Sequence, residues 1–180
     1  DKITDEQRNY AKAINFGLIY GQSSFGLAET LNISQKEASE FIQRYFQKFS
    51  AVKIYLDQLR EFCEKHGFAQ TYLGRKRYLP DIKSSNRMLK GQAERMAINT
   101  PIQGTAADLV KIAMVELYKK LQQQPSSFML LQVHDEIILE VPLEQVGAIA
   151  TLTKQVMESA MVLTVPLKVD IAHGKNWLEM

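Results

Sequence analysis

Apolar residues recur along this chain mostly at helical spacing, in blocks that open on capping signals. Thr4-Asp5-Glu6-Gln7 places Gln three residues after Thr, which predicts a helix from there to about Tyr20, where Gly17, Gly21 and Gly26 weaken helicity. Ser34-Gln35-Lys36-Glu37 is a second capping box. Ala38, Phe41, Ile42, Tyr45, Phe46 and Phe49 follow it at helical spacing and form a core-facing stripe. Val52, Tyr55, Leu56, Leu59 and Phe62 predict another helix, stopped at His66-Gly67, with His66 as a helix-end cation. Residues 70–73 and 77–79 flank Gly74-Arg75-Lys76 as a short basic hairpin. A helix over 87–99 is expected to stop before Pro101. Thr105-Ala106-Ala107-Asp108 would cap the next, whose buried face carries Leu109, Ile112, Ala113, Leu117 and Leu121. Two β-prone runs then flank His134-Asp135-Glu136 as a second hairpin, followed by a helix over 144–161 and a last strand over 166–172. The pattern predicts an α+β fold: a mostly helical first half, then an antiparallel sheet with helices packed against it.

Composition narrows the class. At 180 residues, 46% hydrophobic and 23% charged, the chain is an ordinary globular sequence able to bury a core. The single cysteine, Cys63, excludes an intrachain disulfide framework and a cysteine-cluster metal site, and its helical context marks it as a small buried hydrophobe. No apolar run reaches spanning length and no signal peptide opens the sequence, so an intracellular, cytoplasmic protein without a membrane partner is expected. The net charge of +2 conceals an asymmetry. Seven cations between Leu73 and Arg95 (Arg75, Lys76, Arg77, Lys83, Arg87, Lys90 and Arg95) face only Asp81 and Glu94. Such a segment can follow a phosphate backbone, or be a solvated surface.

Three groups of residues carry candidate chemistry. His134, Asp135 and Glu136 lie at or near a β-turn, where a carboxylate suits Mg²⁺, an ion that needs one or two protein carboxylates plus waters and phosphates. Acidic residues are also common in turns for local reasons. Arg8, Lys12, Phe16 and Tyr20 recur every four residues and form a slowly winding stripe, cationic at one end and aromatic at the other. That stripe could hold a polyphosphate and stack a base or sugar, or be a plain amphipathic helix with snorkelling cations. Arg95, Asn99 and Gln103 also step by four and suit minor-groove acceptors, or simply face water. Together the three groups describe the parts of templated phosphoryl transfer.

The residues also carry a specific resemblance. Arg8, Lys12, Phe16-Gly17 and Tyr20-Gly21 at their spacing resemble the fingers-helix motif of family A DNA polymerases, the bacterial DNA polymerase I group. Gln132-Val133-His134-Asp135-Glu136 resembles that family's catalytic palm motif, and Gln92 to Asp108, through Arg95, Asn99, Pro101 and Gln103-Gly104-Thr105, resembles the palm segment between them. Gly174-Lys175-Asn176-Trp177 is similar to the family's carboxyl end, so the resemblance covers essentially the whole chain.

The resemblance implies Mg²⁺-dependent, DNA-templated transfer from dNTPs to a primer 3′-hydroxyl. It implies that Arg8 and Lys12 grip the incoming triphosphate, with Lys12 also a proton donor to the leaving pyrophosphate. Phe16 would pack on the sugar and Tyr20 would sit beside the templating base. Arg95, Asn99 and Gln103 would contact primer-template DNA and His134 the primer terminus. Asp135 would ligate one of two Mg²⁺ ions, supported by Glu136. Residues 1–85 would belong to the fingers and 86–180 to the palm. The family's other metal carboxylate has no counterpart here, so the expectation is a carboxyl-terminal fragment that is inactive alone, whose partner is the remainder of the polymerase, a monomer when complete. A DNA- or nucleotide-binding fragment and a single-subunit phage-type RNA polymerase are the alternatives.

Overall fold

Thr4 and Ser34 each begin a helix as the sequence predicts, and each closes a reciprocal cap. In the computed structural model, which describes residues 3–180, the Gln7 amide donates to Thr4 Oγ1 while the Thr4 amide donates to Gln7 Oε1. The Glu37 and Ser34 pair repeats this at the next start. These caps open α1 (Asp5–Ile19) and α3 (Gln35–Lys48). Between them the glycine-rich stretch holds a helix the apolar pattern did not resolve, α2 (Ser24–Leu31), capped by Ser23. α4 (Ser50–His66) ends on Gly67, whose φ of 77° is the left-handed stop expected there.

The chain divides into two compact units, one through Thr105 and one from Ala106 to Met180. In the first, Leu18 of α1, Leu27 and Ala28 of α2 and Ala38 of α3 form one apolar cluster, flanked by Phe41, Ile42, Tyr45 and Phe46. A second cluster joins Cys63 of α4 to Ala69 and Leu79 of a hairpin, Ile82 of a 3₁₀ turn, and Ala93 and Ala97 of α5 (Arg87–Leu121). Cys63 is the small buried hydrophobe expected, and burial pushes its thiol pKa up, so it stays protonated at neutral pH. In the second unit, Leu117 and Leu121 of α5 pack with Ile149 and Val156 of α6 (Val146–Glu158), beside Met129, Ile137 and Leu139 of the second hairpin.

Four local expectations are corrected. α5 does not stop at Pro101 but runs through it. The proline removes the amide that would reach the Ala97 carbonyl, a cost of roughly 3 kcal/mol. Buried residues on both sides of it, Ala93, Ala97 and Ile98 before and Val110, Ala113 and Leu117 after, hold the helix together across the defect. Thr105 is therefore no cap. It lies mid-helix, its hydroxyl donating to the Pro101 carbonyl.

The first hairpin is β1 (Phe68–Gln70) with β2 (Lys76–Tyr78), which begin two residues and one residue earlier than predicted, because residues 71–75 close on Thr71. The Gly74 amide donates to the Thr71 carbonyl and the Arg75 amide to Thr71 Oγ1, and Gly74 takes a φ of 82°. Finally, residues 166–172 form no strand. A strand needs a ladder partner, and the Val169 amide goes instead to the Glu158 carboxylate. The second hairpin, β3 (Phe128–Val133) with β4 (Glu136–Glu140), is antiparallel, with a bulge near Leu130. No helix among the described residues is long and apolar enough to cross a membrane.

On α4, Asp57 accepts from Lys53 Nζ at 2.6 Å and from Arg60 Nη1 at 2.7 Å. The Lys53 hydrogen bond, aided by the charges of both cations, holds the carboxyl below its ordinary pKa against the opposing effect of burial. A depressed carboxylate stabilises above the unfolded-state pKa and loses that contribution as pH falls through the folded value. Asp57→Asn should therefore cost about 0.5 kcal/mol at pH 7. In urea melts the gap from the parent should narrow as pH falls through the folded-state pKa of Asp57, below which both side chains are neutral.

Candidate functional site

α1 turns its buried face, led by Leu18, onto α2 and α3, and the Tyr45 hydroxyl donates to Asn15 Oδ1 at 3.0 Å. What remains outward is the four-residue stripe. Arg8, Lys12 and Phe16 are exposed and Tyr20 is half-buried. Phe16, a large aromatic at 57% exposure, stacks on Tyr20 with ring centroids 6.1 Å apart and planes 23° from parallel. An exposed aromatic pair presents a flat apolar ledge. Among the described residues neither Arg8 nor Lys12 is ion-paired, so both charges remain available to an anion.

The end of α1 explains how this stripe meets the next. Tyr20 caps the helix, and Gly21 follows with a φ of 79°, its amide donating to the Leu18 carbonyl. A Cβ on Gly21 would lie 2.8 Å from Ile98 Cδ1 and 3.3 Å from Arg95 Cγ. Only glycine permits both that backbone angle and that approach. The aromatic end of the α1 stripe is thereby seated against α5 where the Arg95-Asn99-Gln103 stripe begins. Arg95 and Gln103 are exposed, and Asn99 is half-buried with its Oδ1 lacking a partner among the described residues. A buried acceptor left without a donor costs about 1–3 kcal/mol, so Asn99 would gain from an external donor.

In the second unit, Val133 pairs with Glu136 and leaves a two-residue turn, His134-Asp135. His134 takes a φ of 54°, an uncommon left-handed conformation for a residue with a side chain. The Gln132 side-chain amide donates to the His134 carbonyl and fastens the turn. His134, Asp135 and Glu136 are all exposed. Asp135 thus sits on a held turn with its oxygens in water, a fit for an ion that keeps part of its hydration shell. Among the described residues no three His, Cys, Asp or Glu side chains converge as a metal cluster. By itself the hairpin tip presents exposed carboxylate oxygens and no closed ligand set.

The structure thus sets the aromatic end of the α1 stripe beside α5 at Arg95, and holds the acidic triplet on the hairpin tip of the second unit. Two supporting groups were not singled out from the sequence: Gly21, as the seat of α1 on α5, and Gln132, as the brace of the turn. The signal for the first was a glycine directly after the helical stripe. The signal for the second was an amide side chain two residues before the turn.

The family description "DNA polymerase family A" matches residues 1–179. The chain belongs to DNA polymerase family A. DNA polymerase I of Caldicellulosiruptor bescii is 49% identical over 178 residues, which is 98% of this chain and 21% of that protein. DNA polymerase I of Bacillus subtilis is 44% identical over 180 residues, 99% of this chain and 20% of that protein. Among solved structures, "POL domain of Pol1 from M. smegmatis complex with DNA primer-template and dNTP" is 42% identical and matches with a TM-score of 0.94, covering 98% of this chain and 31% of that one. This family A chain therefore spans about a fifth of the length of its curated relatives.

Two glycines of this family A chain separate backbone angle from packing. Gly67 and Gly21 share a left-handed φ, but nothing lies within 4 Å of a Cβ on Gly67. Gly67→Ala should cost about 1 kcal/mol from the angle alone. Gly21→Ala should cost that plus a further 1–3 kcal/mol, roughly, from the clash with Ile98 and Arg95. Thermal melts of the two variants check the difference.

Proposed function

We propose that this chain is the nucleotide- and DNA-contacting carboxyl-terminal part of a DNA-templated DNA polymerase, with residues 1–85 in the fingers and 86–180 in the palm. The observation that carries the reading is the match along 98% of the chain to a polymerase domain solved with primer-template and dNTP. The exposed cations of α1, unpaired among the described residues, and the exposed turn carboxylate support it from the chemistry of this chain itself.

The reaction joins the primer 3′-oxygen to the α-phosphorus of a dNTP, breaks the bond to the β-phosphate oxygen and releases pyrophosphate. Arg8 and Lys12 hold the triphosphate by charge-assisted hydrogen bonds, and Lys12 donates a proton where the leaving group gathers negative charge. The Phe16 ring packs against the sugar, and Tyr20 stands at the templating base. Arg95, Asn99 and Gln103 contact primer-template DNA, and His134 the primer terminus. Mg²⁺, when bound, lowers the charge at the reacting phosphate and fixes its oxygens. Asp135 holds it, supported by Glu136. The further carboxylates that a second ion would need are assigned to polypeptide outside these residues. The remainder of the polymerase is then an obligatory partner, the complete enzyme acts as a cytoplasmic monomer, and the chain alone binds without extending.

A chimera in which this chain replaces the matching fifth of Bacillus subtilis polymerase I tests the reading by primer extension. Asp135→Ala should reduce extension by roughly 100-fold or more, and unchanged extension would sink the assignment. Lys12→Ala should lower kcat by about 100-fold with a smaller effect on DNA affinity. Phe16→Tyr should admit nucleotides lacking the 3′-hydroxyl, whereas undiminished discrimination would remove Phe16 from the sugar.

A further inference from the structure

The β1–β2 hairpin is tied to the middle of α5 by contacts that the α1 and α5 stripes do not use. The Tyr72 amide donates to Thr105 Oγ1 at 2.9 Å, and that hydroxyl donates in turn to the Pro101 carbonyl. Beside it, a Cβ on Gly104 would come within 2.6 Å of Thr71 Cγ2, so glycine lets the hairpin tip lie directly on the helix. Thr71 itself is buried and its Oγ1 accepts from the Arg75 amide, so the tip is locked both to α5 and to itself. The fixed tip sets the direction of β2. Lys76 and Tyr78 turn toward Phe68, with Lys76 Nζ 4.5 Å from its ring centre. Arg77, on the opposite face, reaches α5, where its Nη2 lies 3.5 Å from Met96 Sδ.

Arg77 meets no carboxylate among the described residues and rests on a thioether adjacent in sequence to Arg95. An exposed guanidinium set beside the helix that carries Arg95 adds to the local positive charge and favours an anion there. We propose that Thr105, with Gly104 and Thr71, is a positioning residue that holds the basic hairpin on α5 so that Arg77 extends the Arg95-Asn99-Gln103 stripe and grips one more backbone phosphate of the bound DNA. This rests on the reading that the α5 stripe faces primer-template DNA. The proline inside α5 acquires a role in it. With its carbonyl engaged by Thr105, and Thr105 engaged by Tyr72, the helix segment that faces the DNA and the hairpin that flanks it move as one body.

The test is fluorescence anisotropy of a labelled primer-template duplex titrated with the 180-residue chain across a range of NaCl concentrations. Arg77→Gln should weaken binding roughly 5- to 10-fold near 0.1 M salt and reduce the slope of log affinity against log salt by about 1, the signature of one lost phosphate contact. Thr105→Val keeps the side-chain volume but loses both hydrogen bonds, and should reproduce the same loss and the same slope. The double variant should bind no more weakly than Arg77→Gln, because Thr105 acts through that guanidinium. Thr105→Ser should restore parental binding.

A Thr105→Val slope equal to the parent's, or losses that multiply in the double variant, would overturn the positioning role. If Thr105→Val does not fold, Arg77→Gln alone decides: an unchanged slope in that surface variant rejects the added phosphate contact. Arg95→Gln separates the two levels. If it weakens binding while the hairpin variants do not, only the present inference falls. If neither it nor they matter, the DNA-facing reading of α5 falls too.

Discussion

Gly21 is the point on which the candidate surface of the first unit depends. A residue without a Cβ lets the chain turn left-handed at once after α1 and touch Ile98 and Arg95 of α5 at near-contact distance. The α1 stripe is a property of spacing and would exist on an isolated helix. Its use is not. The proposed triphosphate grip, aromatic ledge and DNA-facing polar row would serve one reaction only if they are closely registered, and the close packing of one turn on one helix fixes how the end of α1 meets α5.

Around that seat, rigidity and exposure are divided cleanly. The residues that brace are short, buried or locally bonded: Leu18 and Ala28 under α1, Thr71 against Gly104, Gln132 across the β3–β4 turn. The residues that would meet substrate are polar and turned outward: Arg8, Lys12, Arg95 and Gln103 in the first unit, Asp135 and Glu136 in the second. An exposed charge in water adds little to folding.

Much of this was legible from residue pattern. The capping boxes at Thr4 and Ser34, the helix stop at Gly67, the buried Cys63 and the turn at His134-Asp135 all have short-range causes, and short-range causes are written in adjacent residues. The corrections are the places where distant contacts decide. Pro101 breaks isolated helices, but α5 continues because apolar residues on both sides of it are buried by partners remote in sequence. Tyr72 and Leu73 are β-prone yet lie exposed in a loop, since Thr71 prefers the notch above Gly104. Residues 166–172 alternate like a strand but find no ladder to join. The candidate site residues stand out by spacing and by family resemblance, whereas the bracing roles of Gly21 and Gln132 depend on contacts that their local signals do not specify.

The most direct test is a crystal structure of the Bacillus subtilis chimera carrying this chain, bound to primer-template, Mg²⁺ and a non-hydrolysable dNTP analogue. The account predicts the β- and γ-phosphates against Arg8 and Lys12, the sugar on Phe16, the metal on Asp135 and the duplex along Arg95, Asn99 and Gln103. A triphosphate bound away from α1, or a metal that leaves Asp135 in bulk water, would contradict it.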